Sequence, residues 1–199
     1  VIAFVISLGE VIAYFKFKGI KKDKNKDCKY IDSLKTTLRQ IPKEKDFIIF
    51  TLCSMFFHIG WMGAQPLFSI YSIKVLKANE IGLSALSIAS SISSIIAYTK
   101  WAKFADKKGN SFALSIAIFG MGITPILYAL SSTVKQLVLF NIIIGVSVAG
   151  TTLILFNQLL EVTPKENRTI YIAIYNTFIA IISAIAPMIG IVLKEATNI

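Results

Sequence analysis

Six long apolar runs occupy most of this chain, at residues 1–17, 47–73, 81–99, 112–131, 137–160 and 170–193. Apart from the first, each approaches the ~20 residues that an α-helix needs to cross the hydrocarbon layer of a membrane. A water-soluble domain of this size has too small an interior to hide six such rods. The expected fold class is therefore an all-α integral membrane protein: a helical bundle with six transmembrane helices.

The charges between the runs give the bundle a direction. The net charge of +10 alone would point to nucleic acid as a partner, but the placement of the charges points elsewhere. With the linker at residues 16–46 set in the cytoplasm and the sides alternated, seventeen Lys and Arg fall in cytoplasmic segments. Only Lys74, Lys77, Lys135 and Lys194 fall on the other side. This is the positive-inside bias of helical membrane proteins, and it removes nucleic acid from the expected partners. Tyr14, Tyr98, Trp101 and Tyr171 sit near the expected cytoplasmic ends, and Tyr71 and Tyr128 near the opposite ends, where amphipathic rings favour the headgroup zone. Trp61 falls outside this belt, near mid-membrane. The location expected is the plasma membrane.

The long linker contains Ile31, Leu34, Leu38 and Ile41 at helical spacing, with Lys35 and Arg39 between them. This fits either a basic amphipathic helix on the membrane surface or a solvated linker. The other connections are short, which forces sequential helices antiparallel. The third run carries two stripes of small residues. Gly82, Ala85, Ala89, Ser93 and Ala97 form one, and Ser84, Ser87, Ser91 and Ser94 the other. Ala180, Ala184 and Pro187 form a similar row in the sixth run. Small residues let helix backbones approach closely, for static packing or for a sliding contact.

Two connections carry motifs. The third run is followed by Ala102-Lys-Phe-Ala-Asp106-Lys107-Lys-Gly109-Asn110, and the fifth by Glu161-Val-Thr-Pro164-Lys-Glu-Asn-Arg168. The first resembles the Gly-x-x-x-Asp-Arg/Lys-x-Gly-Arg/Lys-Arg/Lys loop of the major facilitator superfamily, with Asp106, Lys107 and Gly109 on the pattern. Ala102 stands where Gly is usual, and Asn110 and Ser111 replace the basic pair. The second resembles the Glu-x-x-Pro-x-x-x-Arg loop that the family carries two helices later. The spacing between the motifs is also similar to the family's.

The resemblance implies the C-terminal half of such a transporter. Residues 1–18 would be the last helix of the N-terminal half, 19–46 the central cytoplasmic loop, and 47–199 a half-bundle of five helices matching the seventh to eleventh. The N-terminal half-bundle is then an expected partner, and a fragment of a twelve-helix protein the expected reading. The seventh and tenth helices of such proteins line the central cavity, while the eighth and eleventh slide against the other half.

The helix matching the seventh places His58, Trp61, Met62 and Gln65 on one face near mid-bilayer. This face is expected to line a substrate cavity. His58 is either a proton-coupled group there or a structural hydrogen-bonding partner of a neighbouring helix. On the helix matching the tenth, Asn141 and Thr152 share a face, and Asn141 either meets substrate or bridges helices. Glu10 is the acid deepest in an apolar run. Asp106, Lys107, Gly109, Glu161 and Arg168 form the expected cytoplasmic gate, with Asp106 pairing with Arg168, directly or through a water, as a latch of the inner face when the transporter opens outward.

The function expected is secondary active transport of a small molecule by alternating access, in the manner of proton-coupled drug or metabolite efflux. The alternative is a receptor or assembly subunit that keeps the bundle without flux. No nucleotide-binding Gly-x-x-x-x-Gly-Lys-Ser/Thr loop occurs, so ATP is not an expected direct fuel. The lone His58 and two distant Cys offer no metal site, and no nucleophilic Ser motif is evident. An enzyme, a cofactor and a metal are not expected. The partners expected are a small-molecule substrate, a coupling ion (proton or sodium) and membrane lipid.

Overall fold

In the computed structural model of the protein, Leu34 and residues 36–197 are described. The first apolar run, Glu10 and most of the lysine-rich linker lie outside them. The chain divides into two compact units, Val1–Gln40 and Ile41–Ile199. In the first, the described residues are helical, covering part of the amphipathic pattern through Leu38.

The second unit opens with a 3-10 turn, Ile41–Lys43, and is otherwise built of helices. They are α1 (Lys45–Ile70), a π-helical extension (Tyr71–Val75), α2 (Glu80–Lys108), α3 (Asn110–Gly122), α4 (Thr124–Leu130), α5 (Val134–Val162) and α6 (Arg168–Thr197). Five apolar spans result, because α1 runs on into its π extension and α3 with α4 makes one span. In the π segment the backbone widens, with Leu76 N donating to Tyr71 O at 3.1 Å. Between α3 and α4, Pro125 has no N–H to give to Met121, and the regular ladder breaks at Ile123. The sequence reads this span as a single run.

Side chains mark the helix starts. Asn79 accepts from Gly82 N at 2.9 Å, and Thr133 accepts from Gln136 N at 3.3 Å. Each satisfies a donor that the first turn of a helix leaves unpaired.

Helix α5 is the centre of the unit. Half of its apolar window is buried, against 11–22 % in the other four spans. Its most extensive partner is α2, and α3 flanks it, while α1 pairs with α6. The first small-residue stripe of α2 explains the close α2–α5 contact: Ser93 and Ala97 are buried there, and a Cβ on Gly82 would touch Val134. A Cβ on Gly145 would collide with the Ser90 carbonyl and the Ser93 hydroxyl. Two bonds cross this interface, Ser94 Oγ to Gly145 O at 2.7 Å and Trp101 Nε1 to Val146 O at 2.8 Å. In the second stripe, Ser84, Ser87 and Ser91 are exposed.

The α1–α6 pair meets the α2–α5 group along a seam. At the Lys-rich end, Phe47, Leu159, Tyr171 and Tyr175 form a buried cluster, with Phe47 and Tyr171 edge to face at 5.0 Å. At the opposite end the Tyr71 hydroxyl donates to Ser131 O at 3.0 Å, and Phe68 stacks on Tyr128 at 4.5 Å. Outward faces carry exposed Phe56, Ile81, Ile95, Phe119 and Val192, as suits a lipid solvent.

Candidate functional site

Between these two ends of the seam lies a cavity of about 440 Å³ bounded by α1, α2, α4 and α5. Trp61 and Gln65 reach it from α1 and Asn141 from α5. Three of the six residues expected at a cavity therefore come together. Asn141 is 7 % exposed and donates through Nδ2 to Leu137 O at 2.9 Å, within its own helix. Its side chain also stands beside the Tyr128 hydroxyl, so it faces α4 as well as the cavity.

His58, Met62 and Thr152 do not line this cavity. His58 sits a turn below Trp61, with Nδ1 2.8 Å from Ser54 O. A carbonyl can only accept, so this nitrogen carries the proton. The ring also meets Phe57 edge to face at 5.3 Å. Thr152 is exposed on α5. The cavity wall instead gains Phe68 and Ser72, which continue the Trp61–Gln65 face up α1, with Ser87 of α2 and Thr124 and Tyr128 of α4. A sequence signal existed for Ser87, on the second small-residue stripe. None existed for α4, whose approach depends on the break at Ile123.

At the Lys-rich end the two motif segments meet. Asp106 and Lys107 belong to the last turn of α2, because that helix runs to Lys108. The sequence places residues 100–110 in a connection; in the structure Gly109 alone separates α2 from α3. Its φ of 86° and ψ of 151° lie in a region open essentially to glycine alone. The next two residues tie α3 to α5: Asn110 Nδ2 donates to Glu161 Oε2 at 3.0 Å, and Ser111 Oγ to Gln158 Oε1 at 3.1 Å. Glu161 thus also lies by the positive N-terminus of α3.

Asp106 and Arg168 make no direct ion pair in this structure. Asp106 is exposed, and Arg168, at the start of α6, has its Nε buried without a hydrogen-bond partner. A second cavity of about 540 Å³ lies at this end, with Asp46, Cys53, Gln158 and Glu161 in its wall. Among the described residues, no group of three or more His, Cys, Asp or Glu is placed to hold a metal ion.

Five apolar spans and two linked motif segments at one end are the setting for the family comparison. The sequence profile of the Major Facilitator Superfamily matches residues 50–197. The chain belongs to the major facilitator superfamily. It is also 25 % identical over 157 residues to an uncharacterized MFS-type transporter of Methanocaldococcus jannaschii, an alignment covering 78 % of this chain. The alignment spans 40 % of that relative's length. No solved structure gives a significant match. Membership makes this an integral membrane protein of a transporter family. It also makes the Asn110–Glu161 bond a local variation, since Asn110 stands where major facilitator proteins usually carry a basic residue.

Proposed function

We propose that this chain forms the C-terminal half of a secondary active transporter that moves a small molecule by alternating access. The observation that carries the reading is the cavity at the seam. It puts Trp61, Gln65 and Asn141, polar and aromatic groups from two non-adjacent helices, into one space within a bundle whose outer faces are apolar. Polar side chains at membrane depth are costly and usually face a cavity or a partner. In this reading the cavity forms part of the solute path, and the exposed serines of α2 meet the other half.

The Lys-rich end lies in the cytoplasm, and the host membrane is the cell membrane. The seventeen-to-four distribution of basic residues supports that orientation. An ion gradient drives the cycle. Every Asp and Glu of the five described spans stands in a first or last turn, so the group that senses the ion is sought outside these spans or in the missing half.

The test uses the complete transporter in sealed vesicles. Trp61→Ala, Gln65→Ala and Asn141→Ala should each lower flux at least tenfold at unchanged protein yield and melting temperature. Ile95→Ala, on an exposed apolar face, should not. Full flux in all three cavity variants would reject the assignment of the path.

A further inference from the structure

The wall of the seam cavity is uncharged. Among the described residues, no Asp, Glu, Lys, Arg or His lines it. Its polar groups are hydroxyls, amides and the Trp61 indole, and some have already spent a hydrogen on their own helix. Ser72 Oγ donates to Phe68 O at 2.9 Å, Ser87 Oγ to Leu83 O at 3.2 Å, and Asn141 Nδ2 to Leu137 O at 2.9 Å. The serines keep oxygen lone pairs for a ligand, while Gln65, Asn141 and the Trp61 indole bring N–H donors. Thr124 differs. Its side chain is 1 % exposed, borders the cavity, and its hydroxyl has no hydrogen-bond partner.

The apolar part of the wall is aromatic. Phe68 stacks on Tyr128, and Trp61 lies 6.0 Å from Phe68 at a tilt of 55°. These rings give one side of the cavity broad faces, and the hydroxyls and amides stand among them.

This inventory selects by charge. An ion entering the cavity would lose water and meet no opposite charge on this wall, which is a costly way to bury one. A wholly apolar solute would cover the Ser87 lone pairs and the amides of Gln65 and Asn141 and would give the Thr124 hydroxyl no partner, so hydrogen bonding would be lost or left unmade. A hydroxyl both donates and accepts. It can therefore meet the donors and acceptors of this wall and the Thr124 hydroxyl alike, while C–H groups lie on the rings. We infer that the cavity takes an uncharged, polyhydroxylated solute with one apolar face, a neutral sugar or a molecule built like one. This inference rests on the transport reading and adds the solute class.

The experiment uses the complete transporter, purified for binding and reconstituted for flux. The probes are neutral hexoses and pentoses, with glucosamine and glucuronate as charged counterparts of the same shape. Neutral sugars should bind, and both charged analogues should bind at least tenfold more weakly. Thr124→Val, which removes only the unpartnered hydroxyl, should weaken neutral-sugar binding about tenfold while leaving the melting temperature unchanged or raised. Equal or tighter binding of a charged analogue overturns the inference, as does failure of every neutral sugar to bind. Neutral-sugar binding that is indifferent to Thr124→Val removes this cavity as the site. Neutral sugars that bind but are never carried across keep the solute class and reject the carrier. Carriage of charged solutes alone does the reverse.

Discussion

Asn110 donates its side-chain amide to the Glu161 carboxylate at 3.0 Å, joining the start of α3 to the end of α5. The bond replaces, with a neutral donor, the charged contact that a basic residue at this position would make. Glu161 is exposed, so the interaction is worth only about 0.5–1 kcal/mol. A double-mutant cycle with Asn110→Ala and Glu161→Ala should give a coupling energy of that size in thermal unfolding. Asn110→Arg should raise the coupling and make it salt-sensitive. Strictly additive single effects would show the bond to be energetically idle.

Gly109 is the whole connection between α2 and α3. A side chain there must adopt φ near 86°, at a cost of about 1–3 kcal/mol. Gly109→Ala should lower the melting temperature and loosen the joint, seen as faster proteolysis between Lys108 and Asn110. An unchanged melting temperature would mean that the joint relaxes to another backbone conformation.

The close α2–α5 contact depends on a missing side chain. Gly145→Ala drives a methyl against the Ser90 carbonyl and should destabilise the protein by about 1–3 kcal/mol. Gly60→Ala is the control: a Cβ there meets nothing within 4 Å, and helix propensity favours it by about 1 kcal/mol. Equal effects from the two would rule out close packing as the reason for Gly145.

His58 is tied to the backbone of its own helix rather than aimed into the seam cavity. His58→Gln should therefore leave the pH dependence of flux in place, with at most a modest loss of rate. A flattened pH profile would return the imidazole to a coupling role.

Orientation is tested by single cysteines at Lys107 and Ser132. An impermeant thiol reagent should label the first only in inside-out vesicles and the second only in right-side-out ones. The reverse pattern would overturn the sidedness given to the Lys-rich end.

The long-range architecture was largely readable from residue order. Apolar run length set the five described spans, because hydrocarbon thickness leaves helices little choice. The small residues of α2 announced a close contact, and Ser93 and Ala97 do meet α5. They could not show which of the two stripes packs and which stays open, since that depends on the rotation of α2 against a partner far away in the chain. At the cavity, the i to i+4 step found Trp61 and Gln65 together, as helical geometry requires. The same periodicity extended the face downward to His58 and missed its extension upward to Phe68 and Ser72. Periodicity gives a direction around a helix and is silent on where along the axis the neighbours part. Tyr128 and Thr124 were invisible for a different reason, since their position follows from the break before Pro125. Sequence placed Asp106 and Arg168 at one end of the bundle without fixing the azimuth of either, and no direct ion pair joins them here.

The seam between the α1–α6 pair and the helices around α5 is fastened by two clasps of unlike strength. One is a knot of four buried side chains, Phe47, Leu159, Tyr171 and Tyr175. The other is one hydroxyl–carbonyl bond, Tyr71 to Ser131, with Phe68 and Tyr71 both set against the Tyr128 ring. Anything wedged between them strains the lighter fastening first. The bundle therefore carries its own bias as to which mouth yields.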